Sequence, residues 1–91
     1  MSLVRIIATD AFIESACQIY SSKIRNELSN ALDTLEVCPE IGSKIVFESL
    51  KREFGENIRK YIIGPFDLIY EFFPNDGRIY LYDLVPQRAV Y

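Results

Sequence analysis

One stretch decides the fold: Ile58-Arg59-Lys60-Tyr61-Ile62-Ile63, then Gly64-Pro65, then Phe66-Asp67-Leu68-Ile69-Tyr70-Glu71-Phe72-Phe73, then Pro74-Asn75-Asp76-Gly77-Arg78, then Ile79-Tyr80-Leu81-Tyr82-Asp83-Leu84-Val85. Its three runs are rich in Ile, Tyr, Phe and Leu, side chains that pack well on a pleated surface. Gly64-Pro65 separates the first two runs and Pro74 to Gly77 the second and third. Proline suits the start of such a turn and glycine a positive φ at its end. Both connections are short, so Ile58 to Ile63, Phe66 to Phe73 and Ile79 to Val85 are expected to form a three-stranded antiparallel meander.

Working outward, the pattern upstream is helical. Leu3 to Ala8 is a short β-branched run that reads as an N-terminal strand; Met1-Ser2-Leu3 carry no weight in the reading. Asp10 is the expected N-cap of a first helix. Apolar residues then fall at Ile13, Ala16, Cys17, Tyr20, Ile24, Leu28, Ala31, Leu32 and Leu35, one helical face sustained to about residue 37. Ser21-Ser22 interrupts this stripe chemically but not in phase, so a two-helix hairpin and one long helix both fit. The hairpin is preferred, because a helix of ~27 residues is long for so small a domain. Pro39 and Gly42 close this half, and Lys44 to Phe54 reads as either a short helix or an exposed turn. The sum is an α+β fold: an N-terminal strand, a helical hairpin, and a meander, with helices on one face of one twisted sheet. Residues 1–91 are expected to form a single domain.

Composition narrows the function. Ten Lys and Arg stand against 13 Asp and Glu, a formal charge of −3. The deficit lies in residues 1–50, with four basic side chains against seven acids; residues 51–91 hold six of each. Such a balance argues against sequence-specific DNA binding by this chain, because phosphate contacts rest on Lys and Arg. No apolar run reaches the ~18–20 residues of a membrane span, and a secretory signal is not expected before Asp10. Cys17 and Cys38 therefore read as reduced and buried. There is no histidine. That removes Ser-His-Asp and Cys-His chemistry, and neither a metal site nor a cofactor is expected. Any catalysis would run on Arg, Lys, Tyr, Asp or Glu.

Gly55, Arg59, Gly64-Pro65-Phe66, Ile69-Tyr70, Asp76-Gly77 and the terminal Arg88-Ala89-Val90-Tyr91 together resemble the RelE/ParE superfamily of bacterial toxins from type II toxin–antitoxin (plasmid stabilisation) modules. Pro39-Glu40-Ile41-Gly42 is similar to the superfamily's Pro-x-x-Gly after the second helix. Phe66 and Tyr70 match its Gly-x-aromatic turn and the tyrosine four residues beyond. The resemblance implies a bacterial, cytoplasmic toxin that arrests growth and is silenced by a cognate antitoxin. That antitoxin would wrap the toxin with a helix or add a strand to a sheet edge.

The superfamily holds two mechanisms. The RelE-like branch is a ribosome-dependent mRNA endonuclease (an mRNA interferase). It resembles this chain in the terminal Tyr91, but Asp67 stands where a basic residue follows the turn. Pro86-Gln87 replaces a His-Arg pair, and Arg88 comes one position late. On that reading Arg59, Arg88 and Tyr91 are the catalytic candidates, with arginine stabilising the phosphorane-like charge. The ParE-like branch, a DNA gyrase inhibitor acting by protein contact, lacks the nuclease set and is favoured here, so the chain is not expected to be an enzyme. A third reading is an inactive toxin fold that binds an antitoxin only. The candidates for contacting target or antitoxin are Lys51, Arg52, Arg59, Lys60, Arg78 and Arg88. Each has a plainer reading: Lys51-Arg52 and Arg59-Lys60 as a solvated face, Arg88 and Tyr91 as a frayed end. By the same reasoning Tyr61, Tyr70, Tyr80 and Tyr82 are sheet-packing aromatics.

Overall fold

The computed structural model describes residues 3–87. In chain order they form β1 (Arg5–Ala8), α1 (Asp10–Cys17), α2 (Ser22–Val37), α3 (Glu48–Phe54), β2 (Arg59–Ile63), β3 (Phe66–Phe73) and β4 (Arg78–Pro86). The strands make one sheet in the order β1-β4-β3-β2. The meander is antiparallel as expected, with Tyr61 opposite Leu68 and Phe72 opposite Ile79. β1 joins its far side parallel to β4, which makes the sheet mixed. Gly64 bends the β2–β3 turn at φ 56°, a conformation that a Cβ would strain. Between Ile69 and Tyr70 the β4 partner jumps from Asp83 to Leu81, leaving Tyr82 as the extra residue of a bulge.

The helical hairpin is real, and three details of its reading change. Thr9 is the N-cap of α1: its Oγ1 accepts from the Phe12 N–H at 3.3 Å and donates to Leu81 O at 2.8 Å. Asp10 is the first helical residue instead, where its charge meets the positive end of the helix dipole. α1 also stops at Cys17, and the chain from Gln18 to Ser21 resets the phase before Ser21 caps α2. Phe12 and Ile19 are therefore the buried residues there, while Ile13 and Tyr20 are exposed. For the same reason Cys17 and Cys38 are free and exposed rather than buried: each sits at a helix end turned toward solvent.

The larger core lies between the sheet and the hairpin. Phe12, Ala31 and Leu35 from the helices meet Ile63, Leu68, Tyr70, Ile79, Leu81 and Leu84. Burial of each large apolar side chain stabilises the fold by about 1.5–3 kcal/mol. The expectation of helices on one face only is corrected by α3. Leu50 packs on Ile58 and Ile69, flanked by Val46, Phe54, Tyr82 and Val85. Ile69 and Tyr70 are neighbours on β3 and both are fully buried, so they face opposite sides of the sheet. β3 is thus covered on both faces. Among the described residues no helix is long and apolar enough to cross a membrane.

Candidate functional site

The pattern residues of the second half converge, and what they build is a clasp. Tyr70 projects into the main core, and its hydroxyl reaches the loop after α2. There it accepts from the Gly42 N–H at 2.8 Å and donates to Pro39 O at 2.9 Å. Arg59, one strand over, donates through Nη1 to Glu40 O at 3.0 Å and Gly42 O at 2.8 Å. Its Nη2 lies 3.8 Å from the Glu40 carboxylate. Gly42 is required by space: a Cβ there would sit 2.5 Å from the Tyr70 hydroxyl and 2.9 Å from Lys60 O. Ser43 and Lys60 then exchange two backbone hydrogen bonds of 2.9 Å, tying the loop to the edge of β2. Pro39, Gly42, Arg59 and Tyr70 therefore hold the loop between α2 and α3 onto the sheet. Tyr70 does more than pack.

The cationic candidates disperse. Arg59 and Lys60 are consecutive on β2, so their side chains leave opposite faces of the sheet. Arg59 turns to the clasp; Lys60 borders Ile45, Val46 and Phe47 on the other side. Lys51, on α3, lies 4.0 Å from Glu48 one turn away, and Arg52 is exposed on the same helix. Arg78 opens β4 at the opposite end of the sheet from the Gly64 turn and is exposed. Arg88 and Tyr91 lie outside the described residues. Asp67, at the position where the RelE-like branch carries a basic residue, is 1% exposed, and it accepts from Gln87 Nε2 at 3.2 Å. The Gln87 N–H also binds Pro65 O at 3.0 Å, so Asp67 takes part in fastening the end of β4 to the β2–β3 hairpin.

These elements and their order can be set beside solved structures. The toxin–antitoxin complex RelBE2 from Mycobacterium tuberculosis superposes with a TM-score of 0.66 over 92% of this chain and 98% of that one, at 10% sequence identity. The chain has a RelE-like toxin fold. No family model matches the sequence, and no curated protein does.

On this RelE-like fold an open cleft of about 390 Å³ lies at the start of β2, lined by Glu40, Lys44, Arg59, Glu71, Phe72 and Phe73, among others. Its charges are mixed, two carboxylates and two cations, with Arg59 already engaged by the carbonyls of Glu40 and Gly42. Neither nearby phenol is poised to take a proton. Burial pushes Tyr70 above the ordinary phenol range, against a smaller lowering by its bond from Gly42. Tyr82 is pushed up to about 12, first by burial and then by its 2.9 Å hydrogen bond to the Glu71 carboxylate. Among the described residues no cluster of Cys, Asp or Glu could hold a metal ion.

One feature escaped the sequence reading. Arg5 lies directly beside Arg78 across the β1–β4 pairing. No sequence signal could have paired them, since the two positions are joined only by the long-range parallel register.

Proposed function

We propose that this chain is the toxin of a type II toxin–antitoxin module, acting by protein contact on DNA gyrase and neutralised by a cognate antitoxin. The RelE-like fold supports the toxin reading. The observation that favours contact over cleavage is the commitment of Arg59: its guanidinium is held by two backbone carbonyls and Glu40, with its side chain only 17% exposed. A transition-state phosphorane needs donors aimed at the reacting group and not already engaged. Lys60 points to the other face, so the two cations do not share one phosphate. The antitoxin would add a strand at β2. The Lys60 N–H and C=O on that edge are already taken by Ser43, so by strand alternation the added strand would bond at the next outward-facing residue, Ile62. Exposed Ile41, Ile45 and Ile62 flank that edge.

The test is a purified supercoiling assay. Inhibition of gyrase at stoichiometric toxin, relieved by the antitoxin encoded beside it, is the expected result; normal supercoiling at saturating toxin would remove the gyrase reading. The second reading, ribosome-dependent mRNA cleavage, draws on the neighbour being a RelBE complex. It predicts codon-level cuts in translated mRNA that Arg88→Ala abolishes.

A further inference from the structure

The sheet face opposite the helical hairpin is only partly covered by α3. Ile6, Ile79, Leu81 and Phe72 turn toward the hairpin core, so Arg5, Ile7, Arg78, Tyr80, Glu71 and Phe73 turn the other way. The pairing registers them in two rows across β1, β4 and β3. Arg5, Arg78 and Phe73 form the first row, at the open end of the sheet; Ile7, Tyr80 and Glu71 form the second.

Two properties of this platform stand out physically. First, Arg5 and Arg78 are directly opposed on adjacent strands, about 4.8 Å apart at the backbone. Like charges so placed repel. Both side chains are exposed, and neither guanidinium has a hydrogen bond or ion pair among the described residues. Second, the aromatic neighbours are set as a fixed pair: Phe73 and Tyr80 meet edge to face with centroids 5.3 Å apart. Two unneutralised planar forks therefore stand beside a rigid apolar ledge.

We propose that this platform docks an extended acidic segment of a partner protein, its carboxylates taken by Arg5 and Arg78 and an apolar side chain resting on Phe73 and Tyr80. Charge complementarity selects the occupant. Guanidinium forks match carboxylates bidentately, plane against plane. A nucleic-acid strand fits less well. Its charge recurs at every phosphate along the strand, whereas the patch offers two arginines on a chain of net charge −3, enough for two carboxylates of a peptide and too few for a phosphate backbone. The inference stands apart from the gyrase reading, since peptide binding and supercoiling inhibition can fail separately.

The experiment is titration of the full, isotopically labelled chain with three probes: capped hexaglutamate, capped hexaglutamine and an eight-nucleotide oligouridylate. Amide shifts should move at Arg5, Ile7, Arg78 and Tyr80 with hexaglutamate, saturating near about 1 mM, and not with hexaglutamine. Arg5→Gln and Arg78→Gln should each weaken that binding about tenfold, and added salt should weaken it further. Both arginines are exposed and, among the described residues, unpaired, so the variants are expected to fold; relief of the repulsion should leave their melting temperatures unchanged or raised. Equal response to hexaglutamine, shifts confined to Lys51 and Arg52, a response to the oligouridylate alone, or no shift at several times that concentration would each overturn the proposal.

Discussion

The two faces of the sheet are built by different rules. Against the hairpin, Leu35, Leu68, Tyr70 and Ile79 are fully buried, and even the one polar reach, the Tyr70 hydroxyl, is satisfied twice. Against α3 the contact is a small cluster on Leu50, Ile58 and Ile69, and the helix beside it has seven residues with no side-chain bond at its N-cap. A sheet can be stabilised from one side and leave the other for recognition. The first face holds the fold, and the second carries Arg5 and Arg78, which have no ion pair among the described residues.

The largest expected break is Leu35→Ala, which opens a cavity in the hairpin face and should cost about 2–5 kcal/mol by denaturant unfolding. Next is Tyr70→Phe. It leaves the Gly42 N–H and Pro39 C=O without their partner, a loss of about 1–3 kcal/mol, or roughly 4–8 °C of melting temperature per kcal/mol in a domain of this size. Should Tyr70→Phe prove neutral, the hydroxyl would be packing only and the clasp would not exist. Leu50→Ala should cost less than Leu35→Ala, because the helix it anchors can open locally. Amides of α3 should accordingly exchange with solvent faster than those of α2. Exchange at equal rates would erase the contrast between the faces.

The smallest effect is alkaline. A phenol whose folded pKa lies above its unfolded value of 10.0 keeps its proton longer in the native state. The unfolded chain then releases protons first, so its contribution is intact below pH 10 and declines as pH rises toward about 12. Tyr82→Phe should flatten that decline in a pH series of unfolding curves. An unchanged slope would mean that neither burial nor the Glu71 hydrogen bond holds the Tyr82 proton in the folded state.

Much of this was legible in the sequence. The three strand runs and the turns at Gly64-Pro65 and Pro74 to Gly77 lie where the residues put them, while the break expected at Ser21-Ser22 falls earlier, from Gln18 to Ser21. The site was less legible. Arg59 and Tyr70 stood out as members of a pattern, but nothing local said that their polar atoms would meet at Gly42. Asp67 stood out only for its charge beside the turn, and nothing local said that it would be buried and bonded by Gln87, just past the end of β4.

By itself the sequence determined the order and type of the main elements and the strand-forming runs, because helix and strand periods are written in spacings of a few residues. Only the tertiary structure decided which face each stripe meets, that α3 covers the second side, and that Arg5 and Arg78 stand together. The reason is range: those outcomes depend on contacts between segments from about ten to some seventy residues apart, and no short window of sequence fixes how such segments meet.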